Sequence, residues 1–395
     1  MLAERIRYLE YAIRDIAIIA EELKKRGKKI HYLNIGDPLI FDFKTPRYIL
    51  DALSKAIYSG YNYYVDSLGI LELRKEICRD QEKKYGLKLT QEDILITSGV
   101  TEGIFFVFST LIENRNEILI PGPSYPVYIN YAKFFGGIPV EYKLNENNNW
   151  NPDINDLRKK ISRKTKAILI SSPNNPTGSL FSEKKIKEII DIAGEHNLLV
   201  ISDEIYDEIV FEKKFSCPAI HADDVPIIGL NGFSKAHLTT GWRLGYIYFH
   251  DQENQLEQLK EGVQKMARAR LCANSVAQYA ALEALRNPGD HTKKMVTKLK
   301  ERRNYSFKRI KQIEGIDCVN ADGAFYLFPK IDLKGFSKWK DDKDFSISLL
   351  KETGICTVFG SGFGTLGKEH FRLTFLPTLH ELEEIFDLLE NYLKK

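Results

Sequence analysis

Short apolar runs, separated by helical or turn-rich stretches, recur along the first 250 residues of the chain. They lie at residues 94–97, 117–120, 167–170, 198–202, 226–230 and 244–249. Because these runs are apolar on both faces, they predict strands that are covered by helices on both sides. Repeated strand and helix segments of this kind indicate an α/β domain.

Helix signals occur before the strands and between them. Residues 5–26 place apolar side chains near helical spacing, and three basic residues precede Gly27, a favoured helix stop. Ser182 and Asp153 can each cap the start of a helix that continues with regularly spaced isoleucine and leucine residues. The pattern therefore predicts an amphipathic N-terminal helix and further helices between the strands.

The pattern changes after about residue 290. It predicts a long charged helix over 291–313, strands around 324–328 and 371–375, and a terminal helix from about 379. We expect an N-terminal helix and segment that belong to a small domain, a large α/β domain, and a small C-terminal α+β domain, over residues 1–45, 46–289 and 290–395.

Composition and charge exclude several classes of protein. The 395 residues include 57 basic and 54 acidic side chains, and this net charge of +3 gives no reason to expect a nucleic acid as partner. No apolar run approaches the roughly 18 residues that span a bilayer, and the charged N-terminus lacks the apolar core of an export signal. Five single cysteines show no spacing typical of a metal site or a disulfide framework. We expect a cytoplasmic protein without a metal.

The segment GFSKAHLTTGWRLGY, residues 232–246, is the most informative part of the sequence. It places Ser234 beside Lys235, and Arg243 follows in a glycine-containing stretch where a backbone can approach a ligand. A buried lysine can form an imine with an aldehyde, while a hydroxyl and a guanidinium suit a phosphate. Together these residues predict a phosphorylated aldehyde as cofactor.

Two other polar segments follow predicted strands: SSPNNPTG at 171–178 and SDEIYDEI at 202–209. Open α/β sheets bind ligands at this end of their strands. Asp203 would be a costly buried charge without a cationic partner, and a protonated pyridine nitrogen is such a partner. Tyr206 and Asn175 offer hydrogen bonds to a ring oxygen.

A strand-to-helix junction at residues 94–106 adds a possible phosphate site. It places Ser98, Gly99, Val100 and Thr101 at the start of a helix. Backbone N–H groups at such a start can hold a phosphate.

In this order, the motifs resemble those of pyridoxal 5'-phosphate-dependent aminotransferases of fold type I, in the class I/II group. They cover nearly the whole chain: LNIGDP (33–38), PGPSYPVY (121–128), SSPNNPTG, SDEIYDEI, SKAHLTTGWRLGY, GAFYLFP (323–329) and FRLTF (371–375). The resemblance implies a mostly parallel seven-stranded sheet flanked by helices, and a smaller α+β domain. It also implies a homodimer with active sites at the subunit interface.

The resemblance further implies a role for each matching residue. Lys235, Asp203 and Tyr206 would be catalytic. Lys235 would bind the aldehyde carbon of the cofactor, Asp203 would pair with its pyridine nitrogen, and Tyr206 and Asn175 would bond its 3'-oxygen. Tyr125 would stack on the ring. The phosphate would be held by Ser234, Arg243, the amides of Val100 and Thr101, and Tyr64 from the other subunit.

Arg372, in FRLTF, is similar to the arginine with which this family binds the α-carboxylate of its substrates, with Gly36 and Asn175 alongside. Segments 11–16, 64–69 and 270–280 look like the alanine aminotransferase branch. Tyr11 is then a candidate wall of a pocket for a methyl group, although an aromatic residue at this spacing is also typical of a helix core. Arg268 and Arg270 are candidates for the second carboxylate of glutamate.

The reaction that this resemblance implies moves the α-amino group of L-alanine to 2-oxoglutarate by a ping-pong mechanism, which gives pyruvate and L-glutamate. Aspartate, broad-specificity or aromatic transamination and β-lyase chemistry are alternatives on the same fold. A ligand sensor in a transcription regulator is an alternative of another class. Such a protein needs an added DNA-binding domain, for which we expect no room before residue 30.

Overall fold

A computed structural model describes residues 2–394. Its α-helices are α1 (Ala12–Lys25), α2 (Arg47–Tyr58), α3 (Leu71–Tyr85), α4 (Val100–Leu111), α5 (Pro126–Phe134), α6 (Ile154–Lys160), α7 (Glu183–Glu195), α8 (Glu257–Arg270), α9 (Ser275–Arg286), α10 (His291–Ile310), α11 (Leu333–Phe336), α12 (Asp342–Thr353) and α13 (Leu379–Leu393). Its β-strands are β1 (His31–Tyr32), β2 (Ile94–Thr97), β3 (Glu117–Gly122), β4 (Ile138–Asn145), β5 (Asn151–Pro152), β6 (Thr165–Ser171), β7 (Leu199–Asp203), β8 (Ile227–Gly232), β9 (Gly245–His250), β10 (Ile316–Asp317), β11 (Tyr326–Leu327), β12 (Lys330–Ile331), β13 (Ile355–Cys356), β14 (Val358–Phe359) and β15 (Phe371–Thr374). No helix in this part of the chain is long and apolar enough to cross a membrane.

The central sheet of the described chain has eight strands in the order β2-β9-β8-β7-β6-β3-β4-β5. Strand β9 is antiparallel to both of its neighbours, β5 is antiparallel to β4, and the other pairings are parallel. The predicted mostly parallel α/β fold is confirmed. The sheet has one strand more than the seven that the resemblance implied, because the two-residue edge strand β5 also pairs with β4.

Apolar residues cover both faces of the central sheet. Along β6, Ile168 and Ile170 enter one hydrophobic core, while Ala167 and Leu169 enter another on the opposite face. This alternation explains why the strands read as continuous apolar runs. Polar side chains are therefore concentrated at the carboxyl ends of the strands, where the candidate site lies.

A second group of strands lies in the C-terminal part of the chain, with a core of its own. Strands β11, β15 and β14 form an antiparallel sheet, and β10 pairs with β12. The N-terminal segment joins this region through β1, which pairs with β13. The proposed boundaries at residues 45 and 289 remain predictions.

The N-terminal helix differs from its prediction. A 3-10 turn spans Glu4–Tyr8, and the α-helix begins only at Ala12, after Tyr11 leaves the helical conformation with φ −132°. The Asn130 side chain donates a hydrogen bond to the Glu10 carbonyl oxygen at 2.6 Å. Contacts with α5 at this point outweigh the helical pattern, so the single helix predicted over 5–26 is wrong.

Candidate active site

A cavity of about 470 Å³ lies at the carboxyl edge of the central sheet. Parallel strands end together at this edge, which brings residues from distant motifs to one place. Of the residues that the resemblance assigned to cofactor or substrate, all but Tyr64 and the two candidates Arg268 and Arg270 line the cavity: Tyr11, Gly36, Val100, Thr101, Tyr125, Asn175, Asp203, Tyr206, Ser234, Lys235, Arg243 and Arg372.

Lys235 follows β8 and presents its amine to this cavity. Its Nζ donates a hydrogen bond to the Gly36 carbonyl oxygen at 2.8 Å. Burial lowers the pKa of Lys235 to about 8; the nearby Asp37 carboxylate opposes this effect, while Arg243 and Arg372 add to it. A larger fraction of the amine is therefore neutral near pH 7 than in a solvated lysine, which makes it a better nucleophile and base.

Asp203 is the last residue of β7 and is only 4% exposed. Its Oδ2 accepts a hydrogen bond from the Tyr128 hydroxyl at 2.5 Å, and its Oδ1 accepts one from the Ile205 N–H at 3.2 Å. Burial raises the pKa of Asp203 to about 6 despite these bonds. A cation held in the cavity would oppose that shift and keep the carboxylate ionised.

Glu204, the next residue, faces away from the cavity. Its Oε1 accepts a hydrogen bond from the Tyr248 hydroxyl at 2.7 Å, and its Oε2 has no hydrogen-bond partner within the described residues. Burial raises the pKa of Glu204 to about 8. Of two adjacent buried carboxyl groups, only Asp203 lines the cavity.

The start of α4 and Arg243 form a corner that is suited to an anion, called the anion-binding corner below. Gly99 precedes the helix with φ +82° and provides no side-chain cap, so the first N–H groups stay available for a ligand. A Cβ at Gly99 would lie 2.5 Å from Nη2 of Arg243. A Cβ at Gly245 would lie 2.9 Å from the Val100 nitrogen. Both positions therefore require glycine for the loop, the helix start and the guanidinium to come together.

Arg372 lies in β15 and is only 1% exposed. Its Nη1 donates to Oδ1 of Asn175 at 2.8 Å, and its Nη2 donates to the Asn34 carbonyl oxygen. The guanidinium lies 4.5 Å from the centre of the Tyr326 ring. No carboxylate in residues 2–394 forms an ion pair with Arg372, and its Nε has no hydrogen-bond partner there. A buried cation of this kind is suited to an anionic ligand.

Four tyrosines narrow the cavity. The Tyr11 and Tyr125 hydroxyls are 2.9 Å apart, and the Tyr206 and Tyr326 hydroxyls are 2.7 Å apart. Tyr11 therefore lines the site as the sequence predicted, although it lies just before α1 rather than within a continuous helix.

Tyr64 lies outside the cavity. Its side chain is 79% exposed, on a surface where Tyr58 and Tyr63 are also exposed. Its predicted contribution to a partner subunit remains a prediction. Arg268 and Arg270 do not line the cavity either, and Arg270 forms an ion pair with Glu102 instead.

Several lining residues were not predicted. Tyr128 and Arg14 each lie three residues after a predicted site residue, Tyr125 and Tyr11, so helical spacing was the signal that could have found them. Asp37 and Tyr326 lie inside quoted motifs, but their types alone indicated no role. Asp37 accepts a hydrogen bond from the Thr240 hydroxyl at 3.0 Å and so connects the N-terminal segment to the lysine loop.

Comparisons with known proteins agree with this geometry. The family model described as aminotransferase class I and II matches residues 28–389. An alanine aminotransferase structure from Pyrococcus furiosus is 47% identical with a TM-score of 0.97, and the match covers 100% of both chains. The glutamate-pyruvate aminotransferase AlaA of Haemophilus influenzae is 36% identical over 400 residues, 99% of this chain and 97% of the relative.

A relative with a different substrate is also similar. The (5-formylfuran-3-yl)methyl phosphate transaminase of Methanocaldococcus jannaschii is 34% identical over 399 residues, which cover 100% of both chains. The family match spans most of the sequence, and relatives above 30% identity span all or nearly all of it. The chain therefore belongs to the class I and II aminotransferases, enzymes of fold type I that depend on pyridoxal 5'-phosphate.

Proposed function

We propose that the protein is an alanine aminotransferase, which moves the α-amino group of L-alanine to 2-oxoglutarate and gives pyruvate and L-glutamate. The main support is that two basic side chains, the partly buried Lys235 and the buried Arg372, line one cavity. The first suits an aldehyde and the second suits a carboxylate. An amino acid that engages both groups would have its Cα between them.

The chemistry of the cavity fits pyridoxal 5'-phosphate. The uncapped start of α4, Ser234 and Arg243 match a phosphate. Asp203, buried and without a cationic partner among the described residues, matches a protonated ring nitrogen. Since Oδ1 of Asn175 already accepts from Arg372, its amide nitrogen is available to donate to a ring oxygen.

When bound, the cofactor supplies an aldehyde carbon that takes the amino group and a ring that accepts electrons from the substrate's Cα. Lys235 would hold the cofactor until the substrate's amine displaces it, and the freed lysine amine would then move the proton at Cα. Asp203 holds a proton on the ring nitrogen, and Tyr128 orients the carboxylate. Tyr206 would donate to the ring oxygen, and Tyr125 would cover one face of the ring.

Arg372 binds the α-carboxylate that amino acids and oxo acids share, through the two-pronged pairing a guanidinium allows. The Gly36 amide and the Asn175 side chain lie alongside. Because pyruvate leaves before 2-oxoglutarate enters, both substrates use Arg372 in turn. This is the physical basis of a ping-pong reaction at one site.

The proposal of alanine as donor rests on the tyrosine pair and on the similar proteins. Tyr11 and Tyr125, joined at 2.9 Å, narrow the space beyond the substrate's Cα and suit a methyl group. Glutamate needs a cation for its second carboxylate. Arg14 lines the cavity, is exposed, and forms no ion pair with any described residue, so it fits that need better than Arg268 or Arg270.

A panel of donors and acceptors tests this assignment. Alanine, glutamate, aspartate and phenylalanine would be assayed as donors with the aldehyde form of the cofactor bound, and (5-formylfuran-3-yl)methyl phosphate as acceptor with the amine form bound, each by the absorbance change of a single half-reaction. We expect rapid changes with alanine and glutamate and slow ones with aspartate and phenylalanine. A preference for the furan phosphate or for aspartate would contradict the alanine assignment and leave the family intact.

The position of the reactive lysine is tested separately. Borohydride reduction of the holoenzyme, followed by peptide mapping, should place the cofactor label on Lys235. A label on another lysine would contradict the proposed site whatever the substrate panel shows.

We also propose a homodimer in which Tyr64 of each subunit reaches the phosphate corner of the other. Its exposure and the neighbouring exposed Tyr58 and Tyr63 support this interface. Substitution Tyr64→Phe should weaken cofactor affinity without changing the mass measured by light scattering. A monomeric unmodified protein with full activity would contradict the shared site.

A further inference from the structure

Glu102 and Arg270 form an ion pair directly behind the anion-binding corner. Nη1 of Arg270 donates to Oε2 of Glu102 at 2.7 Å, and the two side chains are 15% and 18% exposed. The pair is more enclosed than most ion pairs at the surface. It lies outside the cavity that holds the proposed catalytic residues, so substrate chemistry does not explain it.

Glu102 is tied to the backbone that leads into α4. The same Oε2 accepts a hydrogen bond from the Ser98 N–H at 2.7 Å. Nη2 of Arg243 lies 3.4 Å from the Ser98 carbonyl oxygen, on the other side of that residue. Ser98 is therefore held at its N–H by Glu102 and at its carbonyl group by Arg243, which fixes the turn that presents the first N–H groups of α4.

Arg270 extends this arrangement to two other segments. Its Nη2 donates to the Ser67 carbonyl oxygen at 3.2 Å and to the Ile96 carbonyl oxygen at 3.3 Å. Ile96 belongs to β2, and Ser67 lies three residues after Tyr64. One guanidinium thus joins the sheet, the turn before α4 and the segment that carries Tyr64.

The charge of the pair matters as much as its geometry. Glu102 lies in the first turn of α4, where a carboxylate is favourable for the helix but repels a phosphate bound at the same end. Arg270 neutralises that carboxylate at hydrogen-bond distance. Without Arg270, the negative charge of the Glu102 carboxylate would be uncompensated and would lie close to the negative charge of the bound phosphate.

We propose that Glu102 and Arg270 are positioning residues for the phosphate of the cofactor: Glu102 shapes the turn, and Arg270 cancels its charge and anchors the Tyr64 segment. The inference rests on the proposed placement of the phosphate at the start of α4. It assigns Arg270 a different task from the substrate role that its sequence position suggested.

The test compares two ligands that differ only in the phosphate. Dissociation constants of the apoenzyme for pyridoxal phosphate and for pyridoxal would be measured by absorbance titration. In Arg270→Gln, we expect binding of pyridoxal phosphate to weaken by about tenfold or more, as when one partner of an enclosed ion pair is removed, while pyridoxal binding stays within about twofold. The double variant Glu102→Gln with Arg270→Gln removes the repulsion and should recover the part of the loss that is due to charge, while the part due to the lost contacts with Ser67 and Ile96 remains.

Arg309→Gln is the matched control. Arg309 belongs to α10, far along the chain from Arg270. Its side chain is also 15% exposed, and it forms ion pairs with Asp387 and Glu390. Arg309→Gln should change neither the dissociation constant for pyridoxal phosphate nor that for pyridoxal. Equal weakening of both ligands in Arg270→Gln, no weakening, or no recovery in the double variant would overturn the inference. Failure of the proposed function gives a different result, because the unmodified protein would then carry no borohydride label on Lys235.

Discussion

The cavity has two sides that are built in different ways. The sheet side consists of residues at or just after strand ends of the central sheet, among them Asn175, Asp203 and Lys235. The segment side consists of residues from the two ends of the chain: Tyr11, Arg14, Gly36, Asp37, Tyr326 and Arg372. The central sheet fixes the positions of the residues on the sheet side. The residues on the segment side come together only when distant parts of the chain pack against each other. We assign cofactor chemistry to the sheet side and substrate recognition to the segment side.

The largest effect is expected on the sheet side. Lys235→Ala removes the amine that binds the cofactor and moves the proton at Cα, so transamination should fall by at least about 10⁴-fold, the upper end of what one general base contributes. Steady-state rates and the absorbance band of the bound cofactor measure this loss. Lys166→Ala, at an exposed lysine of β6, should change neither. Normal turnover in Lys235→Ala would disprove the assignment.

A smaller loss, confined to substrate, is expected on the segment side. Arg372→Gln removes a charged two-pronged contact with the α-carboxylate and should lower kcat/KM for alanine by about 10² to 10³-fold. The spectrum of the bound cofactor should stay unchanged, which separates the two sides of the cavity. Arg372→Lys keeps the charge and should recover part of the loss. A cofactor spectrum that disappears with Arg372 would show that the sides do not act separately.

Arg14→Gln should lower kcat/KM for substrates with two carboxylates and leave that for alanine nearly unchanged. Since only glutamate and 2-oxoglutarate have a second carboxylate, their kcat/KM should fall about tenfold, while alanine changes by less than about twofold. Half-reaction rates with each amino acid give both values. Arg26→Gln, just beyond the other end of α1, serves as control for lost charge. Equal losses with alanine and glutamate would contradict the role of Arg14.

The smallest expected effect tests the contact between the sides. The Asp37 carboxylate raises the pKa of Lys235 against the lowering effect of burial. Capture of the cofactor by the apoenzyme requires the neutral amine, so its rate should rise as the pH increases through about 8. Asp37→Asn removes the stabilising charge, and the midpoint of this rise should move to lower pH. A midpoint that stays in place or moves upward would contradict this coupling.

The sequence predicted the sheet side more completely than the segment side, for a physical reason. A lysine, an acid and a glycine-rich turn that follow buried strands must meet, because parallel strands end at one edge. Lys235 and Asp203 could therefore be placed before the structure was known. No local rule brings Arg14 or Asp37 to the same cavity, since their positions depend on how β1 pairs with β13 and how the N-terminal segment packs on α5.

Tertiary contacts also explain the errors at the N-terminus. Helical spacing over residues 5–26 was real, but the Tyr11 hydroxyl bonds with Tyr125 and the chain leaves the helical conformation there. Arg270 shows the converse case. Its motif suggested a ligand, whereas its hydrogen bonds reach Glu102 and two backbone carbonyl groups.

Glu204 couples folding to the uptake of a proton. Its carboxyl group has a pKa of about 8 in the folded chain, against a usual value of 4.5 once exposed. Between these two pH values the chain takes up a proton as it folds, so this group's contribution to stability declines as the pH rises from about 4.5 to about 8. Unfolding at pH 7 must then release that proton to the solvent. Calorimetric enthalpies should consequently differ between buffers with different heats of ionisation, even when the melting temperature does not.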